Sequence, residues 1–66
     1  MTYEAQLSVY VRGSIRCEDL INIDADDLPE AEEYAERCAR QWERIISTNE
    51  GRPLEDVHVE VDYVED

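Results

Sequence analysis

The chain opens with an alternation that is close to unbroken. From Thr2 to Arg12, Tyr3, Ala5, Leu7, Val9 and Val11 share one parity and Thr2, Glu4, Gln6, Ser8, Tyr10 and Arg12 the other, the period of a strand with one buried face and one wet face. Gly13 and Ser14 then supply a tight turn. Ile15, Cys17, Ile21 and Ile23 resume the inward parity, with Asp19 breaking the apolar series and Leu20 apolar on the wrong side. A bulge near Glu18 to Leu20 accounts for both and marks this segment as an edge strand.

At Leu28 the period changes. Leu28, Ala31, Ala35, Cys38, Trp42 and Ile45 recur at alternating steps of three and four, with Ala39 and Ile46 widening the stripe. That spacing predicts an amphipathic helix over residues 28–46 and beyond, because Glu30, Glu33, Arg37, Arg40, Gln41 and Arg44 fill the remaining surface. Asp27 with Glu30 three residues on fits a capping box, Pro29 suits the first turn, and Gly51 and Pro53 place the stop near Thr48 or Asn49. Trp42 falls on the apolar stripe and is assigned to the core; Tyr34 sits at its edge and is assigned as an exposed aromatic anchor. Val57, Val59, Val61 and Tyr63 then alternate with His58, Glu60, Asp62 and Val64 as a third strand.

The order β-β-α-β defines a single α+β domain over residues 1–66. A right-handed crossover lays the third strand antiparallel beside the first, giving a three-stranded antiparallel sheet in the order 2-1-3 with one helix packed on one face. The other face stays open and presents Glu4, Gln6, Ser8, Tyr10, His58, Glu60 and Asp62.

Charge changes the picture most. With six arginines, no lysine and 18 acids, the formal net charge is −12. Direct binding to DNA or RNA is disfavoured, since Lys and Arg neutralising phosphates supply most of that affinity. Anionic membranes are disfavoured for the same reason. A partner is expected to be basic. The acids are also unevenly spread: residues 24–36 hold seven acids and no base, and residues 50–66 hold seven acids and one arginine. Under the expected topology Asp24, Asp26, Asp27, Glu30, Glu32, Glu33, Asp62, Glu65 and Asp66 gather at one end, while Arg12, Arg16, Arg44 and Arg52 lie at the other.

The remaining chemistry is sparse. Cys17 and Cys38 fall at apolar positions and read as buried free thiols of a reducing cytosol. No apolar leader and no run of about 20 apolar residues marks export or a membrane span, so the expected location is cytoplasmic. An EF-hand counted from Asp24 has Pro29 where Gly is needed and Ala35 where Glu is needed, so no metal site is assigned. His58, the single histidine, lies among Asp56, Glu60 and Asp62 with no nucleophile in reach, and only Gly13 and Gly51 are available to a phosphate loop. The chain is expected to be non-enzymatic, with no cofactor.

In size and acidity the chain resembles the small acidic inhibitors of phages and mobile elements, the anti-CRISPR and anti-restriction proteins; no motif carries that resemblance. It implies an inhibitor that mimics nucleic-acid charge and blocks a basic groove on a nucleic-acid-handling protein. The contact set expected for that role is Asp24, Asp26, Asp27, Glu30, Glu32, Glu33, Tyr34 and Glu36. The alternative is a small structural module that forms a homodimer through its open sheet face or an edge strand.

Overall fold

The computed structural model describes residues 1–66 and contains β1 (Thr2–Val11), β2 (Ser14–Asp24), α1 (Leu28–Glu50), a 3-10 turn (Leu54–Asp56) and β3 (Val57–Glu65). The strands form one antiparallel sheet in the order β2-β1-β3, with α1 on one face. The α+β architecture read from the periodicities is the one observed.

The helix meets the sheet through its smallest side chains. Ala31, Ala35 and Ala39, successive at i,i+4, are the helix residues fully withdrawn from solvent, so the backbone of α1 approaches the sheet closely. Around them lie two adjoining clusters. Tyr3, Ala5, Ile23 and Ala25 pack on Ala31 and Ala35; Leu7, Val9 and Val59 pack on Ala39, with Cys38, Trp42 and Ile46 at the margin. Only 13 of 66 residues are buried, a core thin enough that each of these contacts matters. Both helix ends are defined as well: the Asp27 carboxylate accepts from the Glu30 backbone N–H at 3.0 Å, and Gly51 closes the other end at φ 64° with its N–H shared between Ser47 and Thr48.

α1 lies chiefly over β3, the edge strand, rather than over the central strand β1. Its Glu43 carboxylate accepts the Val59 backbone N–H at 3.0 Å and its Arg40 guanidinium donates to the Val59 carbonyl. These backbone groups point away from β1, so two helix side chains occupy the outer edge of β3. β2 receives no such cover. Ile23 is its single buried residue.

Several expectations are corrected. The predicted bulge at Glu18 to Leu20 is absent: that stretch pairs regularly with β1, and the register shifts at Arg16, between the Val9↔Cys17 and Tyr10↔Ile15 pairs. Ile15 therefore shares a face with Tyr10 and is 55% exposed. Cys17 keeps the inward parity but is exposed, because the helix covers β2 only near Ile21 and Ile23; Cys38 is half-buried, and both are free thiols. A second shift, at Asp62, turns Tyr63 to the open face and Val64 inward, reversing the assignment of both. Leu28 and Ile45 belong to the stripe yet are 41% and 48% exposed, and Trp42 is half-buried rather than enclosed. α1 runs to Glu50, slightly past the expected stop. The hairpin turn is Arg12–Gly13 rather than Gly13–Ser14, with Arg12 at φ 54° and Gly13 at φ 83°.

Two substitutions test this account. Arg12 carries a side chain in the left-handed region, where a hairpin of this type favours Asn followed by Gly. Arg12→Asn is expected to stabilise the protein by about 0.5 to 1 kcal/mol in urea unfolding. Ala35→Leu, which forces the helix off the sheet, is expected to cost about 1 to 3 kcal/mol; a neutral result there would mean that the close approach is not what holds the helix.

Candidate anionic binding surface

The two acidic stretches meet. Asp24 ends β2 opposite Thr2, and Glu65 near the end of β3 lies opposite Glu4, so both arrive at the same end of β1. The Ala25 N–H bonds the Met1 carbonyl at 3.0 Å, which ties the start of the chain into that end. The Tyr3 hydroxyl registers the convergence: burial raises its pKa above the ordinary 10.0, and the charges of Asp66, Asp27 and Glu30 raise it further. The Met1 ammonium lies 3.6 Å from Asp24, whose side chain is 92% exposed.

Every residue of the expected contact set is exposed: Asp24, Asp26, Asp27, Glu30, Glu32, Glu33, Tyr34 and Glu36. They do not share one face. At 100° per residue, Glu32 and Glu36 lie on the flank of α1 that carries Glu43, toward β3. Tyr34 lies on the opposite flank with Cys38 and Ile45, and Glu33 points outward. Tyr34 is 46% exposed, with the Arg37 guanidinium 6.0 Å from its ring centre. The structure thus gathers Asp24, Asp27, Glu30 and Asp66 at the end of the sheet and wraps the remaining helix acids around the first turns of α1.

The open sheet face extends this surface further than the sequence reading did. Ser8, at the centre of β1, is paired with Glu18 on one side and Glu60 on the other, and Glu4 is paired with Glu65. The Gln6 amide donates to Glu18 at 2.9 Å and to Asp62 at 3.1 Å, the Ser8 hydroxyl donates to Asp62, and the Tyr63 hydroxyl donates to Glu4 at 3.1 Å. Neutral donors therefore fix the positions of these carboxylates without cancelling their charge. Glu18, Glu65 and Tyr63 were absent from the expected face. The register across β1 identifies Glu18, and the shift at Asp62 explains Tyr63.

Three of the six arginines are engaged in ion pairs, only one of them with an acid of the expected contact set. Arg16 and Arg52 both bind Glu50, at 2.7 and 3.0 Å, and Arg40 pairs with Glu43 at 3.4 Å and with Glu36 at 4.0 Å. Hydrogen bonds from Arg52 and then Arg16 hold the Glu50 carboxyl below its ordinary pKa. What stability that network supplies is present above the ordinary carboxylate range and is lost as the pH falls through the lowered value.

Two concavities complete the surface. The larger, about 730 Å³ and open, lies at the hairpin end among Tyr10, Arg12, Asp56, His58 and Glu60, far from the acidic cap. The imidazole of His58 lies 3.6 Å from Glu43, on the other side from the Tyr10 ring, whose centre is 6.2 Å away. The smaller, about 270 Å³, is an apolar groove between α1 and β2 lined by Val9, Cys17, Asp19, Trp42, Ile45 and Ile46. No three His, Cys, Asp or Glu side chains converge as metal ligands would; the acids form a surface rather than a chelating cluster. No helix is long and apolar enough to cross a membrane.

Comparison with family models, with curated proteins and with solved structures finds no match to this chain.

The tyrosines give a direct test of that geometry. Burial is the leading cause of the raised pKa of Tyr63, followed by its hydrogen bond to Glu4. Both phenols hold their protons longer in the folded chain, so their contribution to stability is present below pH 10 and is lost as the pH rises through the folded values. In an ultraviolet absorbance titration, Glu4→Gln is expected to lower the Tyr63 pKa, and Asp27→Asn with Asp66→Asn to lower that of Tyr3. Neither change is expected to restore 10.0, because burial remains. An unmoved Tyr3 would place Asp27 and Asp66 too far away to form a common cap.

Proposed function

We propose that this protein is a non-enzymatic binding protein whose anionic surface occupies a basic groove on a nucleic-acid-handling protein, in the manner of a charge mimic. The observation that carries the reading is the separation of charge from countercharge. Acids from two stretches distant along the chain gather around one end of the sheet and others spread over its open face, where Gln6, Ser8 and Tyr63 hold Glu18, Asp62 and Glu4. Arg16 and Arg52, by contrast, are both drawn to Glu50 at the far end of the helix, and Arg40 is drawn to Glu43 and, of the expected contact set, to Glu36 alone.

A protein charged only for solubility gains most from mixed signs at its surface. Clustered like charges cost self-repulsion, which a thin core can ill sustain. Carboxylates on neighbouring strands about 4.8 Å apart, and about 6.6 Å apart along one strand, suit a partner whose Lys and Arg are already arranged along a polyanion. Exposed Tyr34 adds an aromatic contact of the kind that dominates interface energies. Face-to-face self-association through the open face is disfavoured by the same charges, since it sets Glu4, Glu18, Glu60 and Asp62 against their own copies.

This reading predicts fast, salt-sensitive association. Immobilised protein is expected to retain nucleic-acid-binding proteins from a host lysate at about 50 mM salt, to release most of them by about 200 mM, and to lose them to added duplex DNA or RNA. Reversing Glu32, Glu33 and Glu36 to Lys is expected to abolish retention while leaving the circular dichroism unchanged. Retention by the reversed variant, or retention that nucleic acid does not compete, would count decisively against the proposal.

A further inference from the structure

The two edges of the sheet are treated differently. On β3 the outward backbone groups of Val59 are taken by Glu43 and Arg40, which interrupts that edge for another strand. On β2 the Ala25 N–H bonds Met1. Counting back by twos along the ladder, Ile23, Ile21, Asp19 and Cys17 direct their backbone groups to β1, while Asn22, Leu20 and Glu18 direct theirs away from it. That outward edge carries Leu20, 59% exposed. Beside it lies the apolar groove formed by Val9, Cys17, Trp42, Ile45 and Ile46, with Asp19 its one polar residue.

We propose that β2 pairs antiparallel with β2 of a second copy of this chain, about a two-fold axis at Leu20, joining the two sheets into one of six strands. Charge selects both the partner and the register. Setting Leu20 opposite Leu20 places Glu18 opposite Asn22, Asp19 opposite Ile21, Cys17 opposite Ile23 and Arg16 opposite Asp24. No like charges face one another. Centring the pair on Asp19 opposes two Asp19 carboxylates, centring it on Glu18 opposes two Glu18 carboxylates, and centring it on Ile21 sets Glu18 against Asp24. Like charges directly opposite destabilise a strand pair, so the acids of this edge exclude the neighbouring registers.

The antiparallel arrangement also fits the charge of the whole molecule. The Asp24 end of each copy is laid beside the hairpin end of the other, where Arg12 and Arg16 stand. The shift at Arg16 ends the regular ladder on that side, confining it to Cys17 through Ile23. Within it, Ile21 and Ile23 of the second copy border the open side of the groove.

This interface does not depend on the charge-mimic reading, and salt separates the two. Association between copies that each carry −12 is expected to strengthen as salt screens their repulsion, whereas capture of a basic partner weakens. Sedimentation equilibrium is expected to show a concentration-dependent dimer, weakened about tenfold in Asn22→Glu, which sets Glu against Glu18, and recovered in Glu18→Lys/Asn22→Glu. In a Cys17→Ser/Cys38→Ala background, Leu20→Cys places the two Cα atoms about 5.5 Å apart, within disulfide reach. It is expected to cross-link at least about tenfold faster than the comparably exposed Ile15→Cys, as the local thiol concentration at the axis requires. Circular dichroism of each variant confirms that the fold is intact. A monomer at every concentration and salt, equal cross-linking at Leu20 and Ile15, or a dimer indifferent to Asn22→Glu would overturn the proposal. A monomer whose β2 edge instead captures a different protein would do so too.

Discussion

The structure depends on where α1 settles, and that is decided by three alanines and one strand edge. Ala31, Ala35 and Ala39 let the helix backbone approach β1 and β3 closely, and at that distance Glu43 and Arg40 reach the outward N–H and carbonyl of Val59. Leu or Ile at the alanine positions would lift the helix and move its axis toward the middle of the sheet, out of range of that edge. Close packing and edge closure are thus one constraint. A backbone group left unpaired at such a half-buried edge costs about 1 to 3 kcal/mol, so the two contacts also oppose any slide of α1 toward β2.

The same placement sets the molecule's asymmetry. Because α1 covers β3 and β1, the helix-side face of β2 is left with a groove instead of a core, and Cys17 and Trp42 are partly open to solvent. The charges follow a parallel logic. Arg40 is drawn to Val59, Glu36 and Glu43, and Arg16 and Arg52 are drawn to Glu50. Three of the six arginines are therefore held beside the helix and near its C-terminus. No arginine pairs with Asp24, Asp27, Glu30 or the carboxylates of the open face, whose side-chain partners are neutral donors or the chain's own ammonium.

Element identity and topology were legible because they rest on strong local signals: the unbroken alternation of β1, the three-four spacing of α1, the Asp27 cap and the Gly51 stop. The errors share one origin. A bulge shifts side-chain parity by one residue, and nothing in a single strand's own sequence locates it. Asp19 and Leu20 look like a parity fault in β2, yet they pair regularly, because Asp19 lies on the helix side at a stretch of β2 that α1 leaves open as a groove. The true shift at Arg16 left no break in the apolar pattern, and the shift at Asp62 was masked because Tyr63 and Val64 are both acceptable on either face. The acidic end of the candidate surface could be read from chain direction alone. Its continuation over the open face through Glu18 and Glu65 needed the cross-strand register. Trp42 departs for a different reason: the sheet does not cover the apolar stripe of α1 across its full width.

An acidic face and an open strand edge on one small body are compatible, and the geometry makes them mutually useful. A two-fold axis normal to the sheet keeps both open faces on the same side, so pairing through β2 joins them rather than burying either. Glu18 stands next to that edge, so the pairing brings the two acidic fields into contact at their least crowded margin, where Leu20 and Asn22 are uncharged. Their ends are set apart instead: each Asp24 lies beside the other copy's Arg16, and the most crowded carboxylates, those near Asp27, Glu30 and Asp66, fall at opposite corners of the assembly. Self-repulsion thus acts mainly at long range, where salt screens it within about 8 to 10 Å. The β2 ladder acts at contact, where screening is weak. In the proposed dimer, a large charge on one surface and pairing along another are compatible because these two forces operate over different distances.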